Sequence, residues 1–262
     1  MTNIKDLLEV KEASFAYDEG KNIFEDLNFK VKKGEIFCIL GANGCGKTTL
    51  IKCITGISEL SKGSINLNNQ DISLLKPPQI AKSMAYIPQE HNSTFPYTVL
   101  DVVLMGRSAH LEIFESPNEK DFKIAEKAIK SLNIEHLKNT PYSEISGGEQ
   151  QLTFIARVLA QEPKLLVLDE PTSHLDFGNQ IRALNVIEKL AKDGLAIIMT
   201  SHFPDHVLIS GTKVAIMKGG NFIEVGTPEE VINTENMEKT YGISVKIVDI
   251  DERLACVPLK LK

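Results

Sequence analysis

Three stretches of this chain combine residue types that handle phosphate. The first is GANGCGKTT, residues 41–49, directly after the apolar run EIFCIL. Gly41, Gly46, Lys47 and Thr48 satisfy the pattern G-x-x-x-x-G-K-[ST]. Glycine at the end of a buried strand costs conformational entropy and packs nothing, so it signals a need for bare backbone. A phosphate chain creates that need, because several backbone N–H groups must converge on it and side chains would block the approach. A helix starting near Lys47 would point its positive end at the anion. Lys47 is expected to reach the β- and γ-phosphates and Thr48 to offer its hydroxyl to Mg²⁺. The second stretch is LLVLDEP. Asp169 ends an apolar run, where its carboxylate can hold Mg²⁺, often through water. Glu170, next to it and differently directed, is placed to polarise an attacking water as general base. The third is ISGGEQQ, where Ser146, Gly147 and Gly148 form another run of bare backbone before a helix. One chain thus offers two phosphate-binding ends for one nucleotide. Two copies meeting head-to-tail resolve this, each glycine loop facing the other copy's Ser-Gly-Gly turn, and a two-fold axis makes both sites identical.

The elements that must position these groups read as an α/β core. LLEVKEASFAY, LNFKV and SINLNN alternate or nearly alternate, as half-buried antiparallel strands do. EIFCIL, KLLVLD and LAIIMT are continuous apolar runs, the pattern of parallel strands covered on both faces. Residues 98–162 differ and are expected to form a mostly helical insertion. TVLDVVLMGR reads as a helix capped by Thr98. In SPNEKDFKIAEKAIKSL, Ser116 reads as N-cap, Pro117 as the first helical residue, and Glu119 falls three after the cap. Phe122, Ala125, Ile129 and Leu132 would then share one buried face. KVAIMKG and NFIEVG suggest a hairpin around Gly219 and Gly220, and the tail holds strand-like runs, ISVKIVDI and LACVPL. The division expected is a domain over 1–240 and a short extension over 241–262.

Bulk composition narrows the classes. With 262 residues, 42% hydrophobic, the chain suits one large domain or a domain with a small appendage. A net charge of −6 without a basic block argues against a nucleic-acid partner. No run approaches the roughly 18 apolar residues of a membrane span, and MTNIKDLLEV lacks a signal-peptide core, so a cytoplasmic location is expected. Cys38, Cys45, Cys53 and Cys256 form no CxxC pair and read as small buried fillers. His202 and His206 are four apart, but Pro204 lies between them and no third ligand is evident, so zinc is not expected.

In order and spacing these motifs resemble those of ABC-transporter ATPase subunits, over residues 8–230. The resemblance implies the ABC ATPase fold: a P-loop core with a mixed sheet, an N-terminal antiparallel flank and a helical insertion. It implies ATP and Mg²⁺ as ligands. It extends the nucleotide contacts to Asn43, Gly44, Cys45 and Thr49, and makes Tyr17 the aromatic that stacks on adenine. Gln89, in YIPQE, matches the glutamine that senses Mg²⁺ and attacking water and couples to the membrane subunit. Asp176, ending SHLD, matches the D-loop that crosses the dimer seam. His202, in TSH, matches the switch histidine at the γ-phosphate.

Three positions depart from the pattern. Glu149 stands where glutamine is usual, adding a charge that could weaken affinity or turn the side chain outward. His174 replaces the commonest alanine, and Cys45 replaces serine at a position that mainly presents backbone. TVLDVVLMGRSAHLEIF and SHLDFGNQIRAL are similar to the ATPases of metal-chelate importers, which handle iron-siderophore, haem and cobalamin; zinc, manganese or molybdate relatives stay open. This implies two copies with ATP between them at the cytoplasmic face of a membrane, two permease subunits and an external binding protein. Phe95, Tyr97 and Leu100 are candidates for the groove that seats the permease. The alternatives are a non-transport ABC ATPase of the iron–sulfur assembly type and a P-loop phosphotransferase.

Overall fold

The computed structural model describes residues 6–17, 20–89, 97–112, 114–173, 175–251 and 253–259. Phe95 and His174 lie outside the described residues. The chain divides into two compact units, 1–75 with 187–262, and 76–186.

The first unit opens with β1 (Asp6–Ala16) and β2 (Asn22–Lys32), followed by β3 (Ile36–Leu40), α1 (Lys47–Ile54), β4 (Lys62–Leu67) and the short β5 (Gln70–Asp71). β1 pairs antiparallel with β2 and with β4, and β4 with β5. Along β2 the alternation is real: Phe24, Leu27, Phe29 and Val31 are buried between exposed neighbours. Phe29 stacks on Phe37 of β3, with ring centroids 4.6 Å apart. All five residues of β3 are buried, as a strand covered on both faces requires.

The second unit holds α2 (Pro77–Ala81), β6 (Met84–Ile87), α3 (Val99–Leu104), α4 (Glu119–Ser131), α5 (Gly147–Gln161) and β7 (Leu165–Leu168), and α6 (Phe177–Lys192) begins in it. β6 and β7 pair in parallel. Val99, Val103, Ala125, Ile129, Ala156 and Ala160 meet in the helical core, which Leu100 and Leu132 flank half-buried. Thr98 caps α3 as expected, with Asp101 reciprocating. The α-helix stops at Leu104, however, and Met105–His110 form a 3-10 turn. The start of α4 also differs from expectation. Asn118, not Ser116, is the N-cap: its side chain accepts from the N–H of Lys120 at 2.9 Å while Asp121 accepts from the N–H of Asn118 at 3.0 Å. Asp121, three residues on, completes a reciprocal box that Ser116 and Glu119 do not make. The buried stripe is therefore Asp121, Ala125, Ala128 and Ile129, and Phe122 is rotated outward, 41% exposed.

From α6 the chain re-enters the first unit through β8 (Ala196–Ser201), α7 (Pro204–Ser210), β9 (Lys213–Lys218), β10 (Asn221–Gly226), α8 (Pro228–Val231), α9 (Thr234–Tyr241), β11 (Val245–Ile250) and β12 (Arg253–Pro258). β3 lies parallel between β8 and β9. The expected hairpin at Gly219 and Gly220 joins β9 to β10, and a second one joins β11 to β12. β12 packs against α7, so the tail belongs to the same compact unit as the glycine loop.

Candidate nucleotide site

In the first unit β3 delivers the chain to the glycine loop, where the Gly41 N–H donates to the carbonyl of Ser201 at 3.2 Å. Gly41 is needed for close approach. A Cβ there would lie 2.4 Å from the carbonyl oxygen of Met217 in β9 and 2.8 Å from the Cys45 sulfur. Gly46 is the N-cap of α1 with φ of 110° and makes no side-chain cap. A left-handed residue is strained for anything but glycine. The loop's glycines are thus fixed partly by the protein's own packing, a constraint beyond bare backbone for phosphate. Cys45 is half-buried against Gly41, whereas Cys38, Cys53 and Cys256 are the buried fillers expected.

Lys47 is only 5% exposed and folds over the loop it follows, its Nζ donating to the carbonyls of Gly41 at 2.8 Å and Ala42 at 3.2 Å. This holds an ammonium group above the opening of α1. Asn43, Gly44 and Thr48 are exposed and Thr49 half-buried. Tyr17 is 53% exposed, stands edge-on to Phe15, and has its hydroxyl 3.5 Å from that of Thr49. It therefore presents an aromatic face beside the loop. His202 follows Ser201 at the end of β8, its ring tilted on Phe203 with centroids 3.9 Å apart. His206 is buried, and burial pulls its imidazole below the usual range.

In the second unit Asp169 is 1% exposed at the end of β7 and donates its N–H to the carbonyl of Ile87 at 3.0 Å. Burial and the Asp169 charge push the Tyr86 phenol up to about 12. Glu170 is buried with φ of 47°, a backbone state disfavoured for a side-chain-bearing residue. Its Oε2 accepts from the Gln89 amide at 3.3 Å. The acidic pair at the strand end is thus buried, unlike a solvated pair.

Ser146 caps α5 and forms a reciprocal box with Glu149. Glu149 Oε2 accepts from the Ser146 N–H at 2.8 Å and from its hydroxyl at 2.6 Å, and the hydroxyl, then the backbone N–H, hold the carboxyl below the usual range. The side chain turns inward over its own helix start and not outward. A Cβ on Gly147 would meet nothing, but one on Gly148 would lie 2.4 Å from the Asn179 side chain. Asn179 is held in turn by Asp176, whose Oδ1 accepts its backbone N–H at 2.9 Å and whose Oδ2 accepts its side-chain amide at 2.8 Å. Sequence reading missed Asn179; its only signal is its place three residues after an aspartate at a helix start. Among the described residues no cluster of three His, Cys, Asp or Glu could hold a metal. The Asp169 carboxyl, buried at the end of β7, is the hard oxygen donor that Mg²⁺ takes.

A family model described as ABC transporter matches residues 24–173. The chain is 38% identical over 256 residues to the probable iron chelatin transport ATP-binding protein of Helicobacter pylori strain J99, covering 97% of this chain and 100% of that one. It is 36% identical to the molybdate import ATP-binding protein MolC of Haemophilus influenzae, covering 90% and 88%. A solved inward-facing metal-chelate type ABC transporter superposes with a TM-score of 0.86 at 34% identity, covering 97% of this chain and 98% of that one. The chain belongs to the ABC transporter family. It is an ATP-binding subunit of that family and its reaction is the hydrolysis of ATP.

Proposed function

We propose that this protein is the motor subunit of an importer for a metal chelate of the iron-siderophore, haem or cobalamin kind. Similarity over nearly the whole chain to an iron chelatin transport protein supports the cargo class, with the molybdate relative marking a rival. The observation that carries the motor reading is Glu170, buried, conformationally strained and hydrogen-bonded to Gln89. Strain at a buried carboxylate persists where surrounding structure fixes it for a task.

In this reading Tyr17 stacks on adenine, and Gly41, Asn43, Gly44, Cys45, Gly46 and Thr49 line the phosphates. Lys47 exchanges its two carbonyl partners for β- and γ-phosphate oxygens. Thr48, Asp169 and Gln89 hold Mg²⁺, which when bound neutralises charge on the phosphates. Glu170 takes the proton from the attacking water, and His202 steadies charge developing on the γ-phosphate. Ser146, Gly147 and Gly148 serve the nucleotide of a second copy, with Asp176 at the seam, so ATP favours the paired state and its cleavage releases it. The pair would work with two permease subunits and an external binding protein at the cytoplasmic face of the membrane. None of the described helices is long and apolar enough to cross one.

Measuring nucleotide affinity and phosphate release tests the loop. Lys47→Ala should weaken ATP binding by about tenfold or more, the worth of a charge-assisted hydrogen bond, and abolish turnover. Unchanged affinity would remove the assignment.

A further inference from the structure

The turn that carries His202 is tied down by the chain's last elements. Ser201 closes the turn from within, its Oγ accepting from the Phe203 N–H at 3.0 Å and donating to the Phe203 carbonyl at 3.2 Å. Two further bonds arrive from far along the sequence. The Tyr241 hydroxyl, at the end of α9, donates to the carbonyl of His202 itself at 3.1 Å. The backbone N–H of Cys256 in β12 donates to Asp205 Oδ1, in the first turn of α7, at 2.8 Å. Gly242, left-handed at φ 71°, ends α9 directly after Tyr241 and turns the chain toward β11. The imidazole leans on Phe203, and Phe203 lies against buried His206, with centroids 4.8 Å apart. The ring therefore rests on a stack whose backbone is anchored at residues 202 and 205.

We infer that α9 and the β11–β12 hairpin form a strap that sets the position of His202, with Tyr241 and Asp205 as positioning residues acting through the turn. The inference rests on His202 serving the γ-phosphate. A two-stranded hairpin is marginal by itself. This one is ordered by packing on α7, so the order of hairpin and turn are linked. A histidine held only by the strand before it could pivot about its own peptide. A hydroxyl on its carbonyl and a second tie three residues later remove that freedom. Small misplacements of a group acting in the transition state cost rate more than substrate binding.

The test is steady-state ATP hydrolysis by the full chain carrying Tyr241→Phe, Asp205→Ala or Asp205→Asn, each alone and combined with His202→Ala. Tyr241→Phe and Asp205→Ala should each lower kcat by about three- to tenfold, the range for one lost hydrogen bond, with the KM for ATP within about twofold of the parent. Asp205→Asn keeps an oxygen to accept the Cys256 N–H and should keep most of the rate. Combined with His202→Ala, Tyr241→Phe should cause no further loss, because the two act as one unit. A parental kcat in Tyr241→Phe would overturn the strap, as would an equal fractional loss in the His202→Ala background. If His202→Ala itself turns over at the parental rate, the reading of the site fails instead, and the two failures are distinct. Tyr241→Phe removes a single oxygen, so the test holds even where Asp205→Ala does not fold.

Discussion

Glu149 turns its carboxylate back over the first turn of α5, accepting the hydroxyl and N–H of Ser146. That side chain does two opposed things. It completes a helix cap, and it holds a negative charge beside the backbone proposed to receive a phosphate. Glu149→Gln keeps an oxygen for the cap and removes the charge. It should lower thermal stability slightly, since the charge favours the helix start, and lower the KM for ATP by about two- to fivefold, the worth of a partly screened like charge nearby. A KM unchanged or raised would show that the carboxylate does not oppose the nucleotide. Residue types made Lys47, Asp169 and Glu170 legible, because phosphate and water activation demand those groups beside bare backbone. The direction of Glu149 was not legible, since a capping pair and a solvent-facing glutamate share one spacing. Asn179 was hidden for the same reason, its task being set by Gly148 from another helix.

At the scale of elements, residues 106–110 do a job the sequence did not reveal. Gly106 lets the 3-10 turn approach α5, where a Cβ would lie 2.0 Å from the Arg157 carbonyl oxygen. Buried Arg107 donates to the Ala160 carbonyl at 2.6 Å, to Asp121 at 2.9 Å and to Glu162 at 2.9 Å. His110 Nε2 meets the Gln161 carbonyl at 2.8 Å, so that nitrogen carries the proton. Cationic and N–H donors thus close the carbonyl end of α5, whose opposite end begins at the Ser146 turn. Asp121→Ala should cost about 1–3 kcal/mol in denaturant unfolding, the worth of a hydrogen bond between charged groups, since Arg107 keeps Glu162 as a partner; a loss under about 0.5 kcal/mol would mean that the cluster is slack. The Asn118 N–H, then Arg107, hold the Asp121 carboxyl below the usual range. Its contribution is therefore present above the unfolded carboxylate pKa and is lost as pH falls through the lowered one. Helix existence here was legible from apolar spacing, but the start of α4 was not. Two overlapping cap patterns compete at residues 116–121, and tertiary pairing of Asp121 with Arg107 favours the second.

For the whole molecule, the strands of the first unit followed from pattern alone: alternation marked β1, β2 and β4, and unbroken apolar runs marked β3 and β8. The two strands of the tail also followed, from ISVKIVDI and LACVPL; their packing on α7 and the bonds to the His202 turn did not, since no local period encodes such contacts. In the proposed function two copies each complete the other's nucleotide site, with Glu170 as base. The most direct test is light scattering of Glu170→Gln with ATP and Mg²⁺, alongside phosphate release. The expected result is a stable dimer retaining two ATP, with turnover reduced by about a hundredfold or more, the loss of a general base. A variant that stays monomeric at saturating ATP, or that hydrolyses at the parental rate, would contradict it.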